Sequence, residues 1–213
     1  MQGIEYVLPS EIEKRSFEII GKELSEMKIE LDPVEAPVTM RVIHTSADFE
    51  YAHTMRYSKD AIAIARELLK QGAVIVTDTN MAKAGINKRA LAKLGCELQC
   101  FMADEDVAKE AKERQVTRAT ISMEKASRLE KPVIFAVGNA PTALIALHEL
   151  MEKTDFVPAF VIGVPVGFVN VEAAKELFLE GSVPYIINEG RKGGSNIAAA
   201  ICNALLYGID GVR

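Results

Sequence analysis

Three histidines occur in 213 residues, and one of them, His44, closes the segment Arg41-Val42-Ile43-His44. Asp32-Pro33 just upstream reads as an N-cap followed by proline at the first helical position, which predicts a short helix from Pro33 to about Ile43. Val34, Val38 and Val42 fall at i, i+4 and i+8 and would give that helix its core stripe. Arg41 and His44, three apart, share the face beside the stripe. A guanidinium binds anions and an imidazole moves protons near neutral pH, so the pair could hold an acid and do proton chemistry on it. The plainer reading of the same spacing is a half-exposed histidine over the last carbonyls of the helix.

The loop Gly190-Arg191-Lys192-Gly193-Gly194-Ser195 is the second signal. Its glycines would let backbone N–H groups approach an anion, a helix N-terminus follows, and two cations stand beside it. A tight strand-to-helix turn would need the same glycines. In Gly138-Asn139-Ala140-Pro141-Thr142, proline is placed to start a helix, and Asn139 could bond a ligand or merely cap. Val164-Pro165-Val166-Gly167-Phe168 is too apolar to recognise phosphate and suits either the wall of a pocket for a flat ligand or ordinary packing. Arg118 follows Thr117 at an expected helix start, where the helix dipole opposes a cation. His148-Glu149 begins like a zinc-protease helix, but position 152 is Glu, so the second metal histidine is missing. His53 has no evident partner. No G-x-G-x-x-G, phosphate-binding G-x-x-x-x-G-K-[ST] or G-x-S-x-G elbow is present.

The elements that must position these residues read as follows. Ser10 and Glu13 form a capping box before a helix whose apolar face carries Phe17, Ile20 and Leu24, with Ser16 close by. Thr45 to Tyr57 looks irregular, and a helix from about Lys59 to Lys70 stops at Gly72. Five short β-rich runs then alternate with helices: Ala73–Thr77, Glu97–Met102 (with Asp104 capping the next helix), Pro132–Val137, Ala159–Val164 and Tyr185–Asn188. That alternation predicts a three-layer α/β/α fold on a five-stranded parallel sheet, with flavodoxin-like strand order. Ligands bind beyond the carboxyl ends of such strands, where Asp78-Thr79-Asn80 and the glycine-containing loops lie. Strands one and three would flank the switch point, so Asp78 and Asn139 should face one crevice.

Composition bounds the function classes. At 213 residues, 49% hydrophobic and 26% charged, the chain suits one large domain over 1–213, burying roughly 70% of its unfolded surface. A net charge of −5 argues against nonspecific nucleic-acid binding, though a local arginine can still hold an anion. The longest apolar run, Val157 to Val169, is broken by Pro158, Gly163, Pro165 and Gly167 and is too short to span a bilayer. With no secretory signal in Met1-Gln2-Gly3-Ile4-Glu5, a cytoplasmic location is expected. Cys96 and Cys100 lie too far apart along an extended strand to pair, and all three cysteines read as reduced core thiols without a metal.

Five stretches together resemble the precorrin-8X methylmutase family, also called cobalt-precorrin-8 methylmutases. They are Arg15-Ser16-Phe17-Glu18-Ile19-Ile20, Arg41 to His44, Gly138-Asn139-Ala140-Pro141-Thr142-Ala143-Leu144, Gly163-Val164-Pro165-Val166-Gly167-Phe168-Val169 and Gly190 to Ser195, in family order. The resemblance implies a flavodoxin-like homodimer with active sites near the subunit interface. It also implies an isomerase that moves a methyl group between adjacent ring-C carbons of a corrinoid precursor, giving hydrogenobyrinic acid or cobyrinic acid. No cofactor is implied, since the shift is a sigmatropic rearrangement with no redox change. The family's catalytic histidine falls on His44 and its substrate-contacting serine and arginine on Ser16 and Arg41; Arg118 sits in a similar Thr-Arg pair. With the loop positions above, Asp78, Asn139, Thr142, Gly167, Arg191, Gly193, Gly194 and Ser195 complete the expected substrate-binding set. Rivals to this reading are a non-catalytic tetrapyrrole carrier using the same pocket and a phosphosugar or nucleotide enzyme using the Gly190–Ser195 loop.

Overall fold

A computed structural model describes residues 6–212. Along the chain the elements are α1 (Ile12–Glu26), α2 (Ala36–Ser46), α3 (Tyr51–Thr54), β1 (Met55–Tyr57), α4 (Ala61–Lys70), β2 (Val74–Thr77), α5 (Asn80–Gly85), α6 (Lys88–Lys93) and β3 (Glu97–Gln99). There follow α7 (Glu105–Arg114), α8 (Arg118–Ala126), β4 (Val133–Val137), α9 (Pro141–Lys153), β5 (Phe160–Gly163), α10 (Val171–Leu179), β6 (Tyr185–Asn188) and α11 (Ser195–Tyr207).

The sheet has six strands in the order β1-β6-β5-β4-β2-β3. All neighbours are parallel except β1, which runs antiparallel to β6 with Arg56 opposite Ile187. The expectation of five strands is therefore corrected. The missed strand lies in the segment read as irregular, because three residues of mixed polarity at a sheet edge show no period. Arg56 and Glu189 close that edge with an ion pair of 2.5 Å.

Strand alternation divides the core in two. Ile75, Ile134, Ala136 and Ile162 face one layer with α2, α4 and α11, whereas Val74, Val76, Phe135, Val137 and Val161 face the other with α8, α9 and α10. The helix α11 carries Ile197 through Cys202 and Ala204 through Leu206 buried, so its apolar residues cover nearly its whole surface; it is the post around which α2, α4 and α5 pack.

Near the N-terminus the reading needs adjustment. The α2 helix starts at Ala36 rather than Pro33 and continues through Ser46. Asp32 does accept from the N–H of Val34 at 2.8 Å, but it caps a separate turn before the helix, and Val34 is 60% exposed rather than in the core. No side-chain cap starts α1, so the Ser10–Glu13 box does not form. Asp104 sits at the cap of α7 but its carboxylate is turned to Lys125 at 2.7 Å. All three cysteines are free; Cys100 and Cys202 are buried, and burial pushes the Cys202 thiol up to about 12.

Candidate active site

Two groups of residues are linked through the segment that follows α2, where Asp48 and Glu50 pair with Lys192. In the first, α1 and α2 cross. The His44 ring, in the last turn of α2, stacks on Phe17 with centroids 5.4 Å apart and planes inclined by 16°. The Arg41 guanidinium lies 4.7 Å from the centre of the same Phe17 ring and 5.5 Å from that of Tyr207. Its Nη2 donates to Glu13 Oε1 at 2.6 Å, which explains where Glu13 goes instead of capping α1. Ser16, next to Phe17, donates its hydroxyl to Ile12 O at 2.9 Å within its own helix. A proton carrier, a cation and a flat aromatic surface thus form one packed unit, with His44 exposed.

The second group is the loop cluster. Asp78 is fully buried, and its carboxylate accepts the N–H groups of Gly138 at 2.9 Å and of Asn139 and Ala140 at 2.7 Å each. Burial pushes its carboxyl above its ordinary range, and the three amide donors pull the other way. Asp78 therefore does not share a crevice with Asn139; it lies beneath that loop and sets its shape, while Asn139 is exposed. Thr79 caps α5 and its hydroxyl meets that of Ser195 at 2.7 Å. Thr117 caps α8 and meets Thr142 at 2.8 Å, which puts Arg118 on the same rim, exposed.

The glycines serve contact between main chains. A Cβ at Gly138 would lie 2.7 Å from Gly194 O, and one at Gly193 would overlap the Val164 carbonyl. Gly194 N–H donates to Val164 O at 2.9 Å, and Gly167 N–H to Arg191 O at 3.1 Å. The 138, 164–167 and 190–195 loops are therefore joined backbone to backbone.

The cations of the Gly190–Ser195 loop already hold acids. Lys192 Nζ contacts Asp48 Oδ2 at 2.5 Å and Glu50 Oε2 at 2.8 Å, and Arg191 Nε contacts Glu172 at 3.1 Å with its Cζ 5.6 Å from the Phe168 ring centre. Asp48 and Glu50 directly follow α2, so these bridges tie the loop to the helix that carries His44. An acidic ligand would have to exchange with these carboxylates, a swap open to exposed pairs.

Lys175 is the residue that sequence reasoning missed. It is 1% exposed, and its Nζ donates to Gly190 O at 2.6 Å and Lys192 O at 2.9 Å. Asn188 Nδ2 donates to the same Lys192 O at 2.6 Å. Both loop carbonyls are thereby held inward. Burial pushes the Lys175 ammonium down to about 8. The available signal was a lysine on the apolar face of α10, beside Ala174 and Phe178, where a solvated lysine does not belong. His148 instead lies edge-on to Phe178 at 6.3 Å, His53 is exposed, and no group of three or more His, Cys, Asp or Glu could hold a metal among the described residues.

The matching family model is that of precorrin-8X methylmutase, over residues 11–208. The chain belongs to the precorrin-8X methylmutase family. It is 42% identical over 199 residues to the cobalt-precorrin-8 methylmutase of Priestia megaterium, covering 93% of this chain and 88% of that one. To the precorrin-8X methylmutase of Pseudomonas aeruginosa it is 34% identical over 205 residues, covering 95% and 97%. The crystal structure of the precorrin-8X methyl mutase of Thermus thermophilus superposes with a TM-score of 0.83 at 38% identity, over 92% of this chain and 96% of that one. All five stretches that carry the resemblance fall within the family match, and in this member they converge on the two groups just described.

Proposed function

We propose that this methylmutase-family chain moves a methyl group between adjacent ring-C carbons of a precorrin-8-type macrocycle, with His44 as the proton donor and acceptor. The observation that carries the reading is the stack of His44 on Phe17 with Arg41 on the same ring. A macrocycle laid against that unit would meet an aromatic surface, a proton carrier at its edge and a guanidinium for one of its acid side chains. The shift itself leaves composition unchanged: the bond from the methyl to one ring-C carbon breaks as a bond to the adjacent ring-C carbon forms, and the double bonds shift to match. His44 gives a proton to the macrocycle as the methyl moves, which favours the rearranged π-system, and can take it back. Ser16, Asn139, Thr142, Gly167, Arg118, Arg191, Gly193, Gly194 and Ser195 are the candidate contacts around it; Asp78 acts through the loop it holds.

Relatives favour the cobalt form of the substrate, since the Priestia protein at 42% identity is named for it and the Pseudomonas protein at 34% for the cobalt-free form. The parallel strands, counted alone, follow the order 2-1-3-4-5, which supports a flavodoxin-like fold with β1 added. A homodimer would cover Phe168 and Val169, which are 82% and 78% exposed beside the loop cluster. Work in the cytoplasm and hand-off of the product to an adjacent pathway enzyme belong to this proposal; separately, no described helix is long and apolar enough to cross a membrane.

The test is anaerobic incubation of wild type and His44→Ala with precorrin-8X and with its cobalt form, followed by visible absorption. Conversion by wild type alone to a hydrogenobyrinic or cobyrinic spectrum is expected, faster for the cobalt form. A bound but unchanged spectrum in both proteins would make the chain a tetrapyrrole carrier.

A further inference from the structure

A cavity of about 840 Å³ opens between α1, α2, α4 and α11, walled by Phe17, Met40 and Tyr207 and edged by Lys14, Arg66 and the Arg41–Glu13 pair. Arg41 pairs with Glu13 through one nitrogen, whereas the Arg66 Nε is buried with no hydrogen-bond partner and Arg66 has no ion pair among the described residues. Such an atom is costly to leave unpaired, and a guanidinium presents a fork that matches a carboxylate. The fork rests on Gly208 at the end of α11, where a Cβ would overlap Nη2 and Cζ. A glycine there leaves space for the Arg66 guanidinium at the cavity wall.

His44 does not line the cavity, but it stands one turn beyond Met40 and Arg41 on the same helix. Pro37, Met40, Arg41 and His44 follow one stripe of α2, and Phe17 both lines the cavity and carries the His44 ring. At 1.5 Å per residue the seven steps from Pro37 to His44 cover about 10 Å. That is within reach of a macrocycle fringed with acid side chains.

We propose that the cavity is a carboxylate subsite of the substrate trough, in which Arg66, with Lys14 as second cation, binds an acid side chain of the macrocycle while His44 addresses the ring. The assignment rests on the corrinoid reading above. It makes Arg66 a specificity residue that distinguishes the free acid from a neutral derivative.

The test measures binding of cobyrinic acid and of its fully methyl-esterified form by absorption titration to wild type, Arg66→Gln, Arg66→Lys and Gly208→Ala, with circular dichroism to verify folding. In Arg66→Gln the acid should bind about 10- to 100-fold more weakly while the ester is unaffected, as expected for a charge-assisted fork. Gly208→Ala should show the same selective loss because it displaces the fork without removing it, and Arg66→Lys a smaller one. Unchanged acid binding, or equal weakening of acid and ester, overturns the subsite while leaving the methylmutase reading intact. If Arg66→Gln does not fold, the other two variants decide by the same criterion. If wild type neither binds cobyrinic acid nor converts precorrin-8X, the function falls and the subsite with it.

Discussion

At the scale of single residues, the site separates groups that would touch a ligand from groups that hold them. His44 is exposed and stacked; its replacement by alanine should lower the rate of methyl transfer by roughly 10²–10⁴-fold, the usual range for a lost general acid. Product affinity should change far less, because the Phe17 surface and Arg41 remain. Single-turnover absorption together with a product titration separates the two effects, and equal loss in both would make His44 a binding residue only. Asp78 is the opposite kind. Replacing it with alanine strands the amides of Gly138, Asn139 and Ala140 away from water, at a cost on the order of 3 kcal/mol or more. A urea midpoint that barely moves would show that the loop finds other acceptors. The residue types at 41 and 44 were legible in the sequence as a cation beside a proton carrier. The burial of Asp78 was not, because a carboxylate after a strand looks the same whether it faces a crevice or a loop's amides.

At the scale of elements, Lys175 on α10 is a clamp on the 190–194 loop. Its ammonium titrates near 8 in the folded chain against an ordinary value of 10.5, so the folded state holds fewer protons than the unfolded one between those limits. Unfolding free energy contributed by this group should therefore rise with pH through that window. Lys175→Met should lack the rise, and urea midpoints of both proteins at pH 7.5 and 9.5 would reveal it as a difference of slopes. The same variant should speed amide exchange in residues 190–194, since the Gly190 carbonyl loses its lysine donor and the Lys192 carbonyl keeps only Asn188. The five parallel strands could be read from period and punctuation because each is a short apolar run followed by turn residues and a helix. The edge strand β1 could not, for its three residues gain their conformation from β6 and not from their own pattern. The start of α2 was misplaced for a related reason: Asp32 caps a turn that precedes the helix, and local chemistry does not distinguish the two.

At the scale of the whole molecule, the exposed Phe168 and Val169 lie beside loops whose cations are already paired with acids. An apolar pair so near a site is best covered by a second copy of the chain, so light scattering should give the mass of a dimer, and Phe168→Asp should shift it toward the monomer. A wild-type protein that stays monomeric at tens of micromolar would remove that expectation. Substrate binding should weaken with salt despite the net charge of −5, because the cations that would meet the acid side chains are local.

The seams between the 138, 164–167 and 190–195 loops are made of main-chain atoms, which every amino acid shares, so their only sequence requirement is the missing Cβ. The two halves of the site should consequently respond very differently to random mutagenesis. Libraries at Gly138 and Gly193 should yield almost nothing that folds correctly. Libraries at Lys14, Met40 and Tyr207, where side chains alone shape the trough, should give folded proteins with shifted ligand preference. Any retuning of this scaffold toward another macrocycle would then be confined to one wall.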